Sequence, residues 1–186
     1  MRIIAGKYRG RTLKSPPSMR VRPTSDRLRE TLFNVIAPRV ENARFLDLCA
    51  GSGAVGIEAL SRNAAQATFV ERSRQICNLI KRNLELCSIP RDQAEVVRLE
   101  ADDFLKQAVK REAGPWDIVF FDPPYMADYH EVLELLGTIE PSLLANDGLI
   151  IVEHHHKNDL PELVGVFRRQ RRLKQGDSAL SFYERE

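Results

Sequence analysis

Four residues at the end of an apolar run, Asp122-Pro123-Pro124-Tyr125, bring together a carboxylate, a rigid backbone and a flat aromatic face. Consecutive prolines remove two N–H donors and fix φ, so the carbonyls around them point in set directions. A carboxylate beside rigid carbonyls makes an acceptor pocket for an amino group, and Tyr125 offers a face on which a planar base stacks. The lone pair of an exocyclic amine is delocalised into its ring. Hydrogen bonds that hold both N–H groups and favour a pyramidal nitrogen free that lone pair to attack an electrophilic methyl carbon. Alignment and electrostatics suffice for such a reaction, with no metal and no covalent enzyme intermediate. Asp122 either orients the amine or takes its proton late.

A second stretch, Phe45-Leu46-Asp47-Leu48-Cys49-Ala50-Gly51-Ser52-Gly53-Ala54-Val55-Gly56, ends an apolar run in glycines and continues into helix-compatible residues. A parallel strand feeds a tight loop and a helix N-terminus in this way, leaving backbone N–H groups to hold a ligand. Gly51-x-Gly53-x-x-Gly56, with Glu71 twenty residues past Gly51, satisfies the dinucleotide fingerprint. A pyrophosphate, however, favours little local negative charge, and Asp47 stands just upstream. A carboxylate there suits a ligand carrying an ammonium, as the methionine part of S-adenosylmethionine does. Glu71 would then accept both ribose hydroxyls and Asp102 the adenine amine, with Asp103 second in that register. Taken with the proline motif, the loop is read as a site for S-adenosylmethionine rather than NAD.

Both stretches need a frame that sets strand ends side by side. From residue 44 the chain alternates expected strands (44–48, 66–71, 94–99, 116–121, 148–153) with expected helices (53–62, 73–87, 102–111, 129–140). Strands bracketed by helical patterns imply βαβ units and a mostly parallel sheet covered on both faces. In such a sheet, ligands sit outside the carboxyl ends of the strands, where Asp47, Glu71, Asp102 and Asp122 all fall. Asn146-Asp147-Gly148 reads as the turn into the fifth strand, residues 160–165 as a short helix, and residues 166–168 and 179–183 as a closing antiparallel hairpin around Gly176-Asp177. The expectation is a Rossmann-like, seven-stranded α/β domain; a TIM barrel needs about 250 residues.

At 186 residues with 43% hydrophobic content, one domain with a real core is expected. No apolar run approaches the ~18 residues of a membrane span. The first residues carry no apolar signal-peptide core, and Cys49, Cys77 and Cys87 lack metal or redox spacing, so a cytoplasmic protein with reduced thiols is expected. The net charge of +2 conceals an asymmetry: residues 1–29 hold nine Lys/Arg against Asp26 alone, a local +8, and the remainder carries −6. A basic arm on an acidic body points to a polyanionic partner. Residues 2–13 read as two short strands around Gly6-Lys7-Tyr8-Arg9-Gly10, with Ile3, Ile4, Tyr8 and Leu13 interleaved among the charges, and Ser15-Pro16-Pro17-Ser18 follows as a stiff connector. Thr24 is the expected N-cap of a helix closed by Pro38, with Leu28, Leu32, Val35 and Ile36 on its apolar face and Arg22, Arg27 and Arg29 turned to solvent and phosphate.

The combination Asp47-Leu48-x-Ala50-Gly51-Ser52-Gly53 and Asp122-Pro123-Pro124-Tyr125 resembles a class I methyltransferase acting on nitrogen. The stretches Arg2-Ile3-Ile4-Ala5-Gly6-Lys7-Tyr8-Arg9-Gly10-Arg11 and Arg22-Pro23-Thr24-x-Asp26-Arg27-x-Arg29-Glu30 resemble the RsmD family of 16S ribosomal RNA guanine-N2 methyltransferases, and the likeness runs over nearly the whole chain. The resemblance implies a basic RNA-binding arm over residues 1–22 and a methyltransferase domain over 23–186. It also implies that Lys7, Arg9, Arg11, Arg22 and Arg27 contact 16S rRNA of the small ribosomal subunit. The implied cofactor is S-adenosylmethionine, held by Asp47, Ala50, Gly51, Ser52, Gly53, Glu71 and Asp102. Asp122, Pro123, Pro124 and Tyr125 receive the base. Cys49 stands where the family commonly has an aromatic residue.

Other features take plainer readings. Adjacent histidines on an extended chain point to alternate faces, so His154-His155-His156 make poor joint ligands and no metal is expected. Arg168, Arg169, Arg171, Arg172 and Lys174 suit a solvated strand or an auxiliary RNA contact equally. Trp116 is read as packing, and a monomer is the expected state. Rival readings are methylation of a DNA adenine or a protein glutamine, an NAD-dependent oxidoreductase, and a non-catalytic RNA-binding module.

Overall fold

The computed structural model describes residues 1–16, 25–111, 113–123, 129–138 and 142–186. The expectations for Arg22, Thr24, Pro124 and Tyr125 lie outside the described residues. In chain order the elements are α1 (Asp26–Val40), β1 (Arg44–Leu48), α2 (Ala54–Ser61), β2 (Gln66–Val70), α3 (Arg74–Leu86), a 3₁₀ turn (Arg91–Gln93), β3 (Ala94–Val97), α4 (Ala101–Lys110), β4 (Trp116–Phe121), α5 (Tyr129–Thr138), β5 (Leu144–His155), β6 (Leu163–Val164), β7 (Phe167–Gln175) and β8 (Ser178–Arg185). They build one eight-stranded sheet in the order β3-β2-β1-β4-β5-β8-β7-β6. Strands β1 to β5 run parallel, and β8, β7 and β6 close the sheet antiparallel. The eighth strand is the two-residue β6, where residues 160–165 had suggested a helix. Its pairing with Phe167 and Arg168 outcompetes a helical turn too short to sustain itself.

Strand period two divides the core. Phe45, Ile118, Phe120, Leu149 and Ile151 face α1, α2 and α3, whereas Leu46, Val119, Phe121, Ile150 and Val152 face α4 and α5. Because the chain runs outward from β1 to β3 and then returns to β4, β1 and β4 are neighbours with connections leaving in opposite directions. That switch point opens a crevice beyond their carboxyl ends.

The basic hairpin is part of the same core. Ile3, Tyr8 and Leu13 are buried with Leu32, Phe33 and Ile57, while the pairing of its arms reduces to an Arg2–Thr12 bridge with flanking hydrogen bonds. Helix α2 supplies the anchor. Buried Glu58 accepts from the Ile4 and Ala5 amides at 2.8 and 3.0 Å, and Ser61 Oγ accepts from the Tyr8 amide at 2.9 Å. Gly6 is required at this contact. Its φ is +81°, and a Cβ there would lie 1.8 Å from the Ser61 carbonyl oxygen.

Three expectations for α1 change. Its N-cap is Ser25, whose side chain accepts from the Leu28 amide. Pro38 lies inside the helix, which continues to Val40, so it forfeits one hydrogen bond near the end without stopping the turn. Arg29 does not face solvent or phosphate: it is fully buried, donates to the Arg2 carbonyl at 2.5 Å and to Asp26 at 2.9 Å, and lies 3.6 Å from Glu58. The arginine ties helix to hairpin, because a buried cation is tolerated only beside carboxylates and carbonyls. Asn146-Asp147-Gly148 likewise belongs to β5, as an irregularity in its pairing with β4.

Candidate active site

A cleft of about 650 Å³ opens over the carboxyl ends of β1, β2, β4 and β5, within the range that holds a nucleoside-sized ligand. Its floor is the glycine corner. Asp47, only 2% exposed, accepts from the Gly56 amide at 2.9 Å, so one carboxylate oxygen fixes the first turn of α2 against β1. Gly56 must be glycine because a Cβ would meet the Phe69 ring at 2.3 Å. Gly53 caps α2 in the left-handed region, with φ +76°. Glu71, just past the end of β2, accepts from the Gly51 amide at 3.2 Å and the Ser73 amide at 2.9 Å. The corner and the next strand end are thus one hydrogen-bonded unit.

Asp47, Ala50, Gly51, Ser52, Glu71, Asp122 and Pro123 all line the cleft, as does Arg27. Gly53 sits behind it and shapes it. Asp102 does not join them: its carboxylate is held by Lys106 at 3.0 Å one helical turn along, and this contact keeps it below the usual carboxylate range. The cleft wall there is Leu99, Glu100 and Ala101 instead. Helix α4 begins at Ala101, so position 102 already turns with the first turn, away from the rim. Lys7 and Arg11 lie over the Tyr8 ring, and Arg11 also donates to the Leu86 carbonyl at 3.0 Å. Arg9 is exposed on the same hairpin.

Four contributors were missed. Glu153 and Tyr129 line the cleft near Asp122. The rule that found Asp47, Glu71 and Asp122, an acid closing an apolar strand, also fits Glu153 at the end of Leu149–Val152. Buried Asn83 donates to the Ser52 carbonyl at 2.9 Å and the Lys14 carbonyl at 3.0 Å, joining the glycine corner to the hairpin's exit; nothing in the spacing of α3 marks it. His154 is buried, bonded to Ser181 at 2.9 Å and held below its ordinary pKa chiefly by burial. The two histidines after it do not diverge as alternation predicts. The chain leaves β5 at His155, and the His155 and His156 rings stack at 4.7 Å, with Asp177 beside them. Their Nδ1 atoms are engaged, His155 by the Lys157 amide and His156 by the Asp177 carbonyl. Ligand atoms of His155, His156 and Asp177 nonetheless all lie within 4.8 Å of one another.

The electrostatics select the ligand. Six acids line the cleft (Asp47, Glu71, Glu100, Asp122, Glu153, Asp177) against Arg27 and Arg72, and Arg72 already pairs with Glu100 at 3.3 Å. Burial, opposed by the Gly56 hydrogen bond and reinforced by Glu71, raises Asp47 to about 8. Burial and the acids Glu71, Asp122, Asp47 and Glu100 push the Cys49 thiol to about 12. A pyrophosphate would meet repulsion here, whereas a cationic ligand would relieve it. The donor set therefore fits S-adenosylmethionine, an ammonium- and sulfonium-bearing nucleoside, and the strand order with its antiparallel closing strands defines a class I, S-adenosylmethionine-dependent methyltransferase.

The family model "Conserved hypothetical protein 95" matches residues 1–184. The chain is 41% identical to "Ribosomal RNA small subunit methyltransferase D" of Escherichia coli (strain K12), over all of this chain and 90% of that one. It is 38% identical to "Putative rRNA methyltransferase YlbH" of Bacillus subtilis, over all of this chain and 99% of that one. The solved structure titled "Putative methyltransferase yhhF from Escherichia coli" superposes with a TM-score of 0.85 at 41% identity, covering 100% of this chain and 98% of that one. The chain belongs to the RsmD family of methyltransferases.

Proposed function

We propose that this protein methylates the exocyclic N2 amine of a guanine in small-subunit ribosomal RNA. The observation that carries the reading is Asp122-Pro123 at the end of β4, sharing one cleft with the glycine corner that ends the neighbouring β1. When bound, S-adenosylmethionine supplies an electrophilic methyl group on sulfur. The chain's own residues do the rest. Asp47 and Gly51 meet the amino-acid end of the cofactor, Glu71 the ribose hydroxyls, and Ile76, Leu99 and Ala101 the flat face of the adenine. Asp122 accepts an N–H of the target amine and Pro123 fixes the carbonyl direction beside it, with Pro124 and Tyr125 assigned to the base from the sequence motif alone. Holding both N–H groups turns the nitrogen lone pair out of conjugation and toward the methyl carbon.

A base enters such a pocket only if it leaves its stack, which costs least in a loop. Lys7, Arg9, Arg11, Arg22 and Arg27 carry the phosphate contacts that bring RNA to the cleft; Arg27 stands on its wall. The relatives named as rRNA methyltransferases support an RNA substrate. The test supplies labelled cofactor with unmethylated small subunits, naked rRNA, DNA and protein. Label enters rRNA, and Asp122→Ala loses turnover by about 10²-fold or more while retaining cofactor affinity. Label in DNA adenine or protein glutamine, or an Asp122→Ala enzyme with full turnover, overturns the reading.

A further inference from the structure

We propose that Glu153 is a positioning residue for methyl transfer, acting through Asp122 to make it the acceptor of the target amine's proton. The inference rests on the reading of Asp122 as the residue that receives the amine. The parallel ladder pairs Phe121 of β4 with Val152 of β5, so the next residues on each strand, Asp122 and Glu153, stand side by side at the rim. Both line the cleft, and Glu153 is only 8% exposed. Ser178, at the start of β8, donates to Glu153 Oε1 at 3.2 Å, which holds the carboxylate toward the cleft.

Two carboxylates at adjacent strand ends repel when both ionise, so an ionised Glu153 raises the proton affinity of the Asp122 carboxylate. Burial, then Glu153, then Asp47, push the Asp122 carboxyl well above the usual carboxylate range. The other described groups facing it are Asp47 from β1, Cys49 beyond β1, Tyr129 from α5 and His154 from β5, with Arg27 across the cleft. Cys49 and His154 are neutral near pH 7, the first by its raised pKa and the second by its lowered one. Repulsion therefore comes from the two acids.

An amine nitrogen that forms a bond to the methyl carbon, as that carbon's bond to the donor sulfur breaks and the electron pair leaves with the sulfur, becomes cationic and must lose a proton. That N–H bond breaks as an O–H bond forms on the Asp122 carboxylate, so the nitrogen returns to neutral and the carboxylate pair goes from two negative charges to one. The pair then releases one proton to water at the cleft mouth. A neighbouring acid raises the basicity of Asp122, and with it the driving force of this transfer.

The experiment is the pH–rate profile of kcat for wild type, Glu153→Gln and Glu153→Asp on methyl-accepting RNA, with cofactor affinity measured alongside. The expected result for Glu153→Gln is a fall of about fivefold in kcat on the plateau above the acid limb and a limb moved down by about one pH unit, so the variant retains its activity better in acid. Cofactor affinity stays unchanged, and Glu153→Asp moves the limb back toward wild type. A limb that stays in place in Glu153→Gln overturns the proposal, even if kcat falls. If Glu153→Gln does not fold, a Glu153→Asp limb that departs from wild type toward lower pH supports the proposal, and an unmoved one contradicts it. Wild-type enzyme that methylates no RNA contradicts the function itself, a result visible before any variant is compared.

Discussion

At the scale of the residue, Asp47 does more than its sequence position suggests. Its place near the end of an apolar strand was legible in the sequence. That it also clamps Gly56, and is raised to about 8 by its burial, required the packed corner. Because its folded value lies above the unfolded 3.8, the folded chain holds a proton that the unfolded chain releases between about 4 and 8. The Asp47 contribution to stability is therefore full at low pH and declines as pH rises through this window. A bound cation favours the ionised carboxylate, so cofactor affinity rises with pH over the upper part of the same window, by up to about tenfold per pH unit. Titration calorimetry between pH 6 and 8 checks this, with Asp47→Asn expected to flatten the slope; an equal slope in the variant counts against Asp47 as the cause. Asp102 shows the converse. Its register was ambiguous in Glu100-Ala101-Asp102-Asp103, and helix α4 starts where it carries the side chain to Lys106.

At the scale of the element, β1 to β4 and the helices between them were read closely, because apolar runs alternate with helical patterns there, whereas β5 and the charged β7 extend well beyond the expected 148–153 and 166–168. What local pattern could not register was long-range: a two-residue strand formed only by its partner, and an arginine buried by a glutamate twenty-nine positions away. Arg29 reads as a surface residue until α2 brings Glu58 beneath it. That contact predicts a large effect. Glu58→Ala removes the buried carboxylate beside Arg29, leaving only the half-exposed Asp26 as its acid, and strands the Ile4 and Ala5 amides, so a loss of about 3–5 kcal/mol is expected in denaturant unfolding. A loss below about 1 kcal/mol contradicts this account of the anchor. Gly6→Ala is expected to cost about 1–3 kcal/mol, because both its φ and its contact with Ser61 forbid a side chain; an unchanged melting temperature would exclude that contact in solution.

At the scale of the whole molecule, the charge asymmetry read from composition acquires a geometry. The hairpin is anchored by α2 and tied through Asn83, which donates to the carbonyls of Lys14 and of Ser52 in the glycine corner, so hairpin and corner are joined by side-chain hydrogen bonds. No helix among the described residues is long and apolar enough to cross a membrane. Arg9→Ala is expected to weaken RNA binding at low salt and to lower the slope of log affinity against log salt by about one. Arg11 is a poorer probe, because its guanidinium also holds the Leu86 carbonyl. A salt slope equal to wild type would show that Arg9 makes no phosphate contact.

The central claim is the identity of the methylated atom, and nucleoside analysis reads it directly. Unmethylated small subunits are incubated with the enzyme and labelled S-adenosylmethionine, and the rRNA is then digested to nucleosides and separated. The account predicts label in N2-methylguanosine from wild-type enzyme and its loss with Asp122→Ala. Label in any other nucleoside, or in N2-methylguanosine at equal yield from Asp122→Ala, would contradict it.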